Sequence, residues 1–318
     1  MTASRALNNQ RGVSATTRDT ILKVAAEMGY VTNRIAQKLS SGQSRVIGVL
    51  ASDLDTPFVA ALVTGVVRAA SLAGNEVLVY LLGDVEKRPG GSVLQLLQQF
   101  TDGIVALLPY ECGFVQALGK AHVPVITIDH PSQHGEYPSV SADSYSGARQ
   151  AMDHLAALGH KRIAFVSGAE QLESARQRHR AYLDAVAVLG LARGPALLVK
   201  GDYTTHGGRG AAERLLALKK RPTAVFAAND QSAFGVMALL QERGVSIPED
   251  ISVVGFDDVP AASEMHPALT TVRQPIDELG RAAINALLAR VAGLDAAATH
   301  MTLPTELIVR KSTAPPPG

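Results

Sequence analysis

Apolar and polar positions along this chain alternate on a scale that fits strands and helices in turn. From Val46 onward, short apolar runs without internal alternation recur at 46–51, 76–82, 103–108 and 123–128. Between them, stretches with apolar residues at helical spacing fall at 58–73, 91–100 and 113–121. A further helix fits 145–158, ended by Gly159. Then the alternation begins again, with strands at 163–167, 196–200, 224–228 and 251–255 and helices at 173–189, 207–218, 231–242 and 277–291. Strands that are apolar throughout belong to parallel sheets covered by helices on both faces. Pro57 at a helix start and Gly74 just past its end follow the usual asymmetry of helix termini. The pattern predicts an α/β chain with two successive open parallel sheets, hence two similar lobes. A final extended run is expected over 301–309, and 312–318 reads as a loose, proline-rich tail.

Before Val46 the pattern is different. Residues 2–8 fit the end of a helix, and a second begins after Ser14, a suitable N-cap. Ile21, Leu22, Val24, Ala25 and Met28 form its apolar face and Gly29 ends it. With no earlier helix in the sequence to cover it, the 2–8 helix is expected to fray. The stretch Arg34–Leu39 is a third short helix, with Ile35, Ala36 and Leu39 on one face and Ser-Ser-Gly-Gln-Ser closing it. A helix this short is unstable alone and must order against something else.

Charge sharpens this division. The chain of 318 residues has a net charge of +1. Residues 1–45 hold seven basic side chains against Asp19 and Glu27, or +5, which leaves −4 for the rest. A basic end on a mildly acidic body fits a polyanion contact confined to that end; a solubilising tail is the plainer reading. Cys112 is the single cysteine, so neither an intrachain disulfide nor a cysteine metal cluster is possible. The start lacks the apolar segment of a signal peptide, and no run approaches a membrane span. A cytoplasmic location is expected.

In open α/β sheets, ligands collect outside the carboxyl ends of the strands. The residues there are Asp53, Asp55 and Phe58; Asp129 and His130; Asn229 and Asp230; Asp257 and Asp258; with Arg176 and Arg178 early in the helix at 173–189. Carboxylates, amides and a guanidinium beside an aromatic ring suit a small polyhydroxylated solute. Each Asp or Asn is as readily explained as a helix cap. Nothing points to catalysis, a metal or a cofactor. No glycine-rich phosphate fingerprint follows the first strand, and no nucleophile elbow occurs. His154, His160 and His179 lack zinc spacing, and His160 after Gly159 reads as a helix-end cap.

Motifs along nearly the whole chain carry a resemblance. TASRALNN, VSATTRDTILKVAAEMGYVTN and NRIAQKLSSGQS in the first part, then ASDLDTPFVAALVTGV, TDGIVALLP, VPVITID, LGHKRIAFVSG, AANDQSAFGVM, DISVVGFDD and LTTVRQP, resemble the lactose/galactose repressor family of bacterial transcription regulators. AANDQSAFG, VVGFDD and ALTTVRQP in that order are specific; any one alone is weak. The resemblance implies a two-lobed core like that of periplasmic binding proteins, preceded by a partial helix-turn-helix headpiece (1–32) and a hinge helix with linker (33–44). It places lobe one at about 45–140 and 271–300, and lobe two at about 141–270 and 301–311.

Site residues follow from the same resemblance. Thr2, Ser4 and Arg5 match recognition-helix positions that face DNA, and Asn8 matches the helix exit. Tyr30 and Asn33 match phosphate contacts near the hinge. Ala36 and Leu39 match the hinge helix in the minor groove, where an apolar wedge kinks the duplex. Phe58, Asp129, Arg178, Asn229, Asp257 and Gln274 match effector contacts, with Thr56 where the family usually has asparagine. The implied protein is a homodimer on double-stranded operator DNA, a repressor controlled by a sugar or sugar acid. The last residues, Ser-Thr-Ala-Pro-Pro-Pro-Gly, offer no apolar heptads for a larger assembly. Met1 falls inside the matched recognition helix, so a start upstream of Met1 is expected. Two other readings stay open: a family member that has lost DNA binding by truncation, and a solute-binding protein.

Overall fold

In the computed structural model the apolar runs become strands of two separate sheets. Residues 2–7, 11–29, 43–82, 95, 97–107, 123–129, 137–294 and 300–317 are described. Two helices come first, α1 (Thr2–Leu7) and α2 (Ala15–Glu27). Ser14 caps α2 by accepting a hydrogen bond from the Thr17 amide at 3.2 Å, as its position predicts. Contrary to the expectation of fraying, α1 is helical and packs against α2, with Ala6 buried. The hinge segment lies outside the described residues, as do the helix expected at 113–121 and part of that at 91–100.

The first lobe contains β1 (Val46–Ala51), α3 (Pro57–Leu72), β2 (Glu76–Leu81), β3 (Gly103–Leu107), β4 (Val125–Ile128) and β5 (Ser139–Ala142). The chain then passes to the second lobe. There it forms α4 (Ser144–Ala157), β6 (Ile163–Val166), α5 (Glu173–Val188), β7 (Leu198–Val199), α6 (Thr205–Leu216), β8 (Ala224–Ala227), α7 (Asp230–Glu242), β9 (Ser252–Asp257), α8 (Pro260–Glu264) and β10 (Thr270–Arg273). It returns to lobe one as α9 (Ile276–Val291) and β11 (His300–Leu303), and ends in lobe two as β12 (Glu306–Ile308). The sheet orders are β11-β5-β4-β3-β1-β2 and β12-β10-β9-β8-β6-β7. All pairings are parallel except β10 with β12.

Three boundaries differ from the sequence expectation. Lobe one extends through β5, whose small residues Ser-Val-Ser-Ala give no apolar run to read. Residues 271–273 belong to lobe two, because β10 pairs with β9. The run over 301–309 is two strands in different sheets. Pro304 between them has no amide hydrogen for a ladder, so the chain changes sheets there.

The tail is also not loose. Ser312 is fully buried; its hydroxyl donates to the Val253 carbonyl at 2.6 Å and accepts from the Thr270 amide at 2.8 Å. The ring of His160, also fully buried, serves this tail rather than the helix end, which is closed by the His160 backbone amide donating to the Leu155 carbonyl at 3.2 Å. Its Nε2 lies 2.9 Å from the Ala314 carbonyl oxygen and its Nδ1 2.9 Å from Thr223 Oγ1. The His154 ring bonds Thr313 Oγ1 at 3.0 Å.

Candidate functional site

The carboxyl ends of both sheets face one cleft. Phe58, Asp129, Arg178, Asn229, Asp257 and Gln274, far apart in sequence, all line it. Lobe one supplies Phe58 from the first turn of α3 and Asp129 from just after β4. Lobe two supplies Arg178 from α5, Asn229 between β8 and α7, and Asp257 at the end of β9. Gln274 sits at the crossing between β10 and α9. Short strand-to-helix turns put Phe58, Asn229 and Gln274 at the mouths of their sheets, and Arg178 reaches in from the second turn of α5.

Arg178 is nearly fully buried and held from several sides. Its Nη1 donates to the Ala228 carbonyl at 2.6 Å, its Nε and Nη2 reach Ser144 Oγ at 3.4 and 3.3 Å, and its guanidinium lies 3.6 Å from the centre of the Phe256 ring. Asp257 Oδ1 is 3.9 Å from Nη1 and accepts from Gln274 Nε2 at 2.7 Å. Asp129 Oδ1 and Oδ2 accept from the Ser174 amide at 3.2 Å and its hydroxyl at 2.5 Å. Burial pushes the Asp257 carboxyl up to about 7, against the pull of Arg178, and the Asp129 carboxyl up to about 6, against its bonds to Ser174. Two carboxylates thus share one guanidinium whose donors are largely occupied.

Backbone strain collects in the same place. Among the described residues, the non-glycine positions with positive φ are Arg45, Asp129, Tyr203, Asp257 and Asp258. Asp129, Tyr203 and Asp257 line the cleft. Such conformations cost of order 1–3 kcal/mol each and persist where the surroundings over-determine them.

Other cleft residues were not foreseen as contacts: Thr56, Val59, Leu172, Ser174 and Tyr203. Ser174 precedes Arg178 by one helical turn, so spacing alone could have found it. Tyr203 follows β7, which has only two residues and gives little apolar signal. Its phenol is buried without a well-formed hydrogen bond among the described residues, and burial pushes it up to about 12. Thr56 Oγ1 is likewise buried and has no hydrogen-bond partner among the described residues. The Tyr203 ring fits because residue 168 is glycine; a Cβ there would collide with it.

Several strand-end residues have structural work instead. Asp258 is paired by Arg273 and Arg310, each at 2.7 Å. Asp230, fully buried, accepts from Thr271 Oγ1 and from the Val259 amide. Arg176 pairs with Glu173 at 2.6 Å, and Asp53 turns the chain by accepting from the Asp55 amide. His130 lies outside the described residues.

The residues expected at DNA are only partly visible. Thr2, Ser4 and Arg5 lie on α1, where Thr2 and Arg5 are exposed. Asn8, Tyr30, Asn33, Ala36 and Leu39 lie outside the described residues. Among those described, no cluster of His, Cys, Asp and Glu could hold a metal, and no helix is long and apolar enough to cross a membrane.

The cleft has a volume of about 60 Å³. Pockets that enclose small organic ligands run to about 300 Å³ and more, so this cleft is closed down.

Comparison with known proteins agrees with this geometry. A family model described as bacterial regulatory proteins, lacI family, matches residues 1–33, and one for a periplasmic binding protein-like domain matches residues 152–313. The HTH-type transcriptional repressor CytR of Escherichia coli (strain K12) is 30% identical over 315 residues, covering 98% of this chain and 92% of that protein. The HTH-type transcriptional regulator CelR of Thermobifida fusca is 31% identical over 323 residues, covering 98% and 94%. Among solved structures, the lac repressor dimer bound to operator and the anti-inducer ONPF superposes with a TM-score of 0.87 at 32% identity, covering 98% of this chain and 94% of that one. A CelR–cellobiose complex does so at 0.79 and 29%, covering 97% and 94%.

Proposed function

The chain belongs to the lacI family of bacterial regulatory proteins, DNA-binding transcriptional regulators rather than enzymes, and from that premise we propose that its cleft binds a neutral sugar which controls its hold on operator DNA. The protein works as a homodimer, as the similar lac repressor does on its operator. Thr2, Ser4, Arg5, Asn8, Tyr30, Asn33, Ala36 and Leu39 form the DNA-reading set, with paired recognition helices in successive major grooves and the hinge in the minor groove between them.

The observation that carries the choice of ligand is the charge balance of the cleft. Asp129 and Asp257 face a single guanidinium that is already engaged by Ala228, Ser144 and Phe256. An anionic group would meet two carboxyl groups and, among the described residues that line the cleft, no cation beyond Arg178. Hydroxyls, by contrast, can donate to the remaining lone pairs of Asp257, Asp129 and Asn229, whose Oδ1 already accepts from the Ser232 amide and whose Nδ2 donates to the Tyr203 carbonyl, and can accept from the Tyr203 phenol and Thr56. Phe58 and Leu172 offer apolar surface to a ring face. This argues for a sugar over a sugar acid.

Entry of a sugar must part the lobes, because the cleft is too small as it stands. Lobe movement alters where each protomer delivers its DNA-binding segment. Coupling of this kind is reciprocal: DNA changes sugar affinity by the factor that sugar changes DNA affinity.

Calorimetry with cellobiose, other neutral mono- and disaccharides and glucuronate tests the reading. Binding of a neutral sugar, lost in Asp257→Ala, is expected. Tighter binding of glucuronate than of every neutral sugar would overturn it.

A further inference from the structure

At the opposite pole of lobe one, the chain that leads into the sheet is tied down by a side chain distant in sequence. Asp102, which precedes β3, accepts three hydrogen bonds from the residues entering β1. Its Oδ1 accepts from the Ser44 amide and hydroxyl, both at 2.8 Å, and its Oδ2 from the Arg45 amide at 2.7 Å. The Ser44 hydroxyl accepts in turn from the Val46 amide at 3.3 Å. Two backbone bonds complete the clamp: the Asp102 amide donates to the Val46 carbonyl at 2.8 Å, and the Glu76 amide to the Arg45 carbonyl at 2.9 Å. Ser44 is only 2% exposed. Arg45 holds a left-handed φ of 53°, the one such non-glycine residue described outside the cleft and its neighbour Asp258. A side chain in that conformation needs a reason, and Asp102 supplies it by holding the Ser44 and Arg45 amides, while the Ser44 hydroxyl that it also holds takes the Val46 amide.

The clamp lies where cleft and entry meet mechanically. α3 begins at the cleft with Pro57 and Phe58, and α9 begins two residues after Gln274. Each has 16 residues and spans about 24 Å. They pack with glycine against backbone: a Cβ on Gly280 would stand 2.7 Å from the Gly65 carbonyl carbon. Both end at a second cavity, of about 280 Å³, whose lining includes Gly74, Ala292, Arg45 and Asp102. Leu287 of α9 also presses on Gly103, next to Asp102.

We propose that Asp102 is the positioning residue that fixes the exit of the DNA-binding segment, through Ser44 and Arg45, to the end of the α3–α9 pair that starts at the cleft. Asp102 touches neither ligand nor DNA. It makes residues 44–46 move with lobe one as a unit, so that lobe movement reaches the preceding segment undamped. The inference rests on the regulatory reading above.

The test uses the full-length protein, a duplex that the wild type selects from a random pool, and an unrelated duplex. Asp102→Ala is expected to bind the selected duplex about tenfold more weakly, the scale of lost bonds to a charged acceptor. Its affinity for the unrelated duplex, set by charge, stays as in the wild type. Ser44→Ala gives a smaller loss in the same sense, and the double variant is no worse than Asp102→Ala, as residues acting through one contact require. Equal losses on both duplexes, additive losses in the double variant, or full-strength binding by Asp102→Ala would overturn the proposal. Should Asp102→Ala not fold, Asp102→Asn and Ser44→Ala decide by the same criteria. A wild type that selects no sequence defeats the regulatory reading alone. Amide exchange then judges the clamp: Ser44 and Arg45 should exchange with the sheet in the wild type and faster in Asp102→Asn, and equal rates would refute it.

Discussion

Asp129 of lobe one caps a helix that belongs to lobe two. Its carboxylate takes both the amide and the hydroxyl of Ser174, in the first turn of α5, at 3.2 and 2.5 Å. Residue 172, the N-cap of α5, supplies no side-chain bond of its own, so the cap comes from across the cleft. The bond therefore measures closure: it exists only while the lobes are together. Asp129→Ala should leave both lobes folded and shift the ligand-free protein toward an open form. Small-angle scattering would detect this as a larger radius of gyration; an unchanged radius would show that Asp129 does not hold the cleft shut.

The same carboxylates give the core an unusual pH response. Burial raises Asp129 to about 6 and Asp257 to about 7 in the folded state. A group whose folded value lies above its unfolded value of 3.8 binds a proton more tightly when folded. Its contribution to stability is full below about 4 and is lost as pH rises through about 6 to 7. Denaturant unfolding should show Asp129→Asn and Asp257→Asn gaining on the wild type as pH rises from about 5 to about 8. A constant difference between wild type and variants across that range would contradict the assignment.

Much of this arrangement was legible in the chain. Wholly apolar strands such as β3 and β8 announced parallel sheets, and Ser14, Pro57 and Gly74 marked helix ends where they stand. Phe58, Asp129, Arg178, Asn229 and Asp257 stood out because ligands gather at strand ends in such sheets, Gln274 was pointed to by the family resemblance alone, and all six converge on the cleft. What was not legible depends on contacts remote in sequence. β5 and β10 carry serine and threonine that are polar in sequence but buried in pairing. The tail reads as loose because its anchors, His160, Thr270 and Val253, are invisible from its own composition. Tyr203 depends on the absence of a side chain at residue 168, a fact about two segments at once.

The α3–α9 contact makes a differential prediction. A methyl group at Gly280 would stand 2.7 Å from backbone of α3, which cannot yield without separating the helices, whereas one at Gly65 meets its nearest atom, the Ile276 carbonyl oxygen, at 3.3 Å. Gly280→Ala should destabilise the core by about 2 kcal/mol, in the range of overpacking costs, and Gly65→Ala by clearly less. Thermal unfolding of the two variants side by side checks this. Equal losses would mean that the helices are not in backbone contact.

In the function proposed above, a sugar in the cleft governs DNA binding at the other end of the molecule. Anisotropy titration of a selected duplex tests it directly, run with and without the neutral sugar that binds the wild type, in wild type and in Asp257→Ala. The sugar should shift the DNA-binding midpoint of the wild type by about fivefold or more, the usual scale of such coupling, and leave that of Asp257→Ala in place. A shift of the same size in both proteins, at the same sugar concentration, would contradict it.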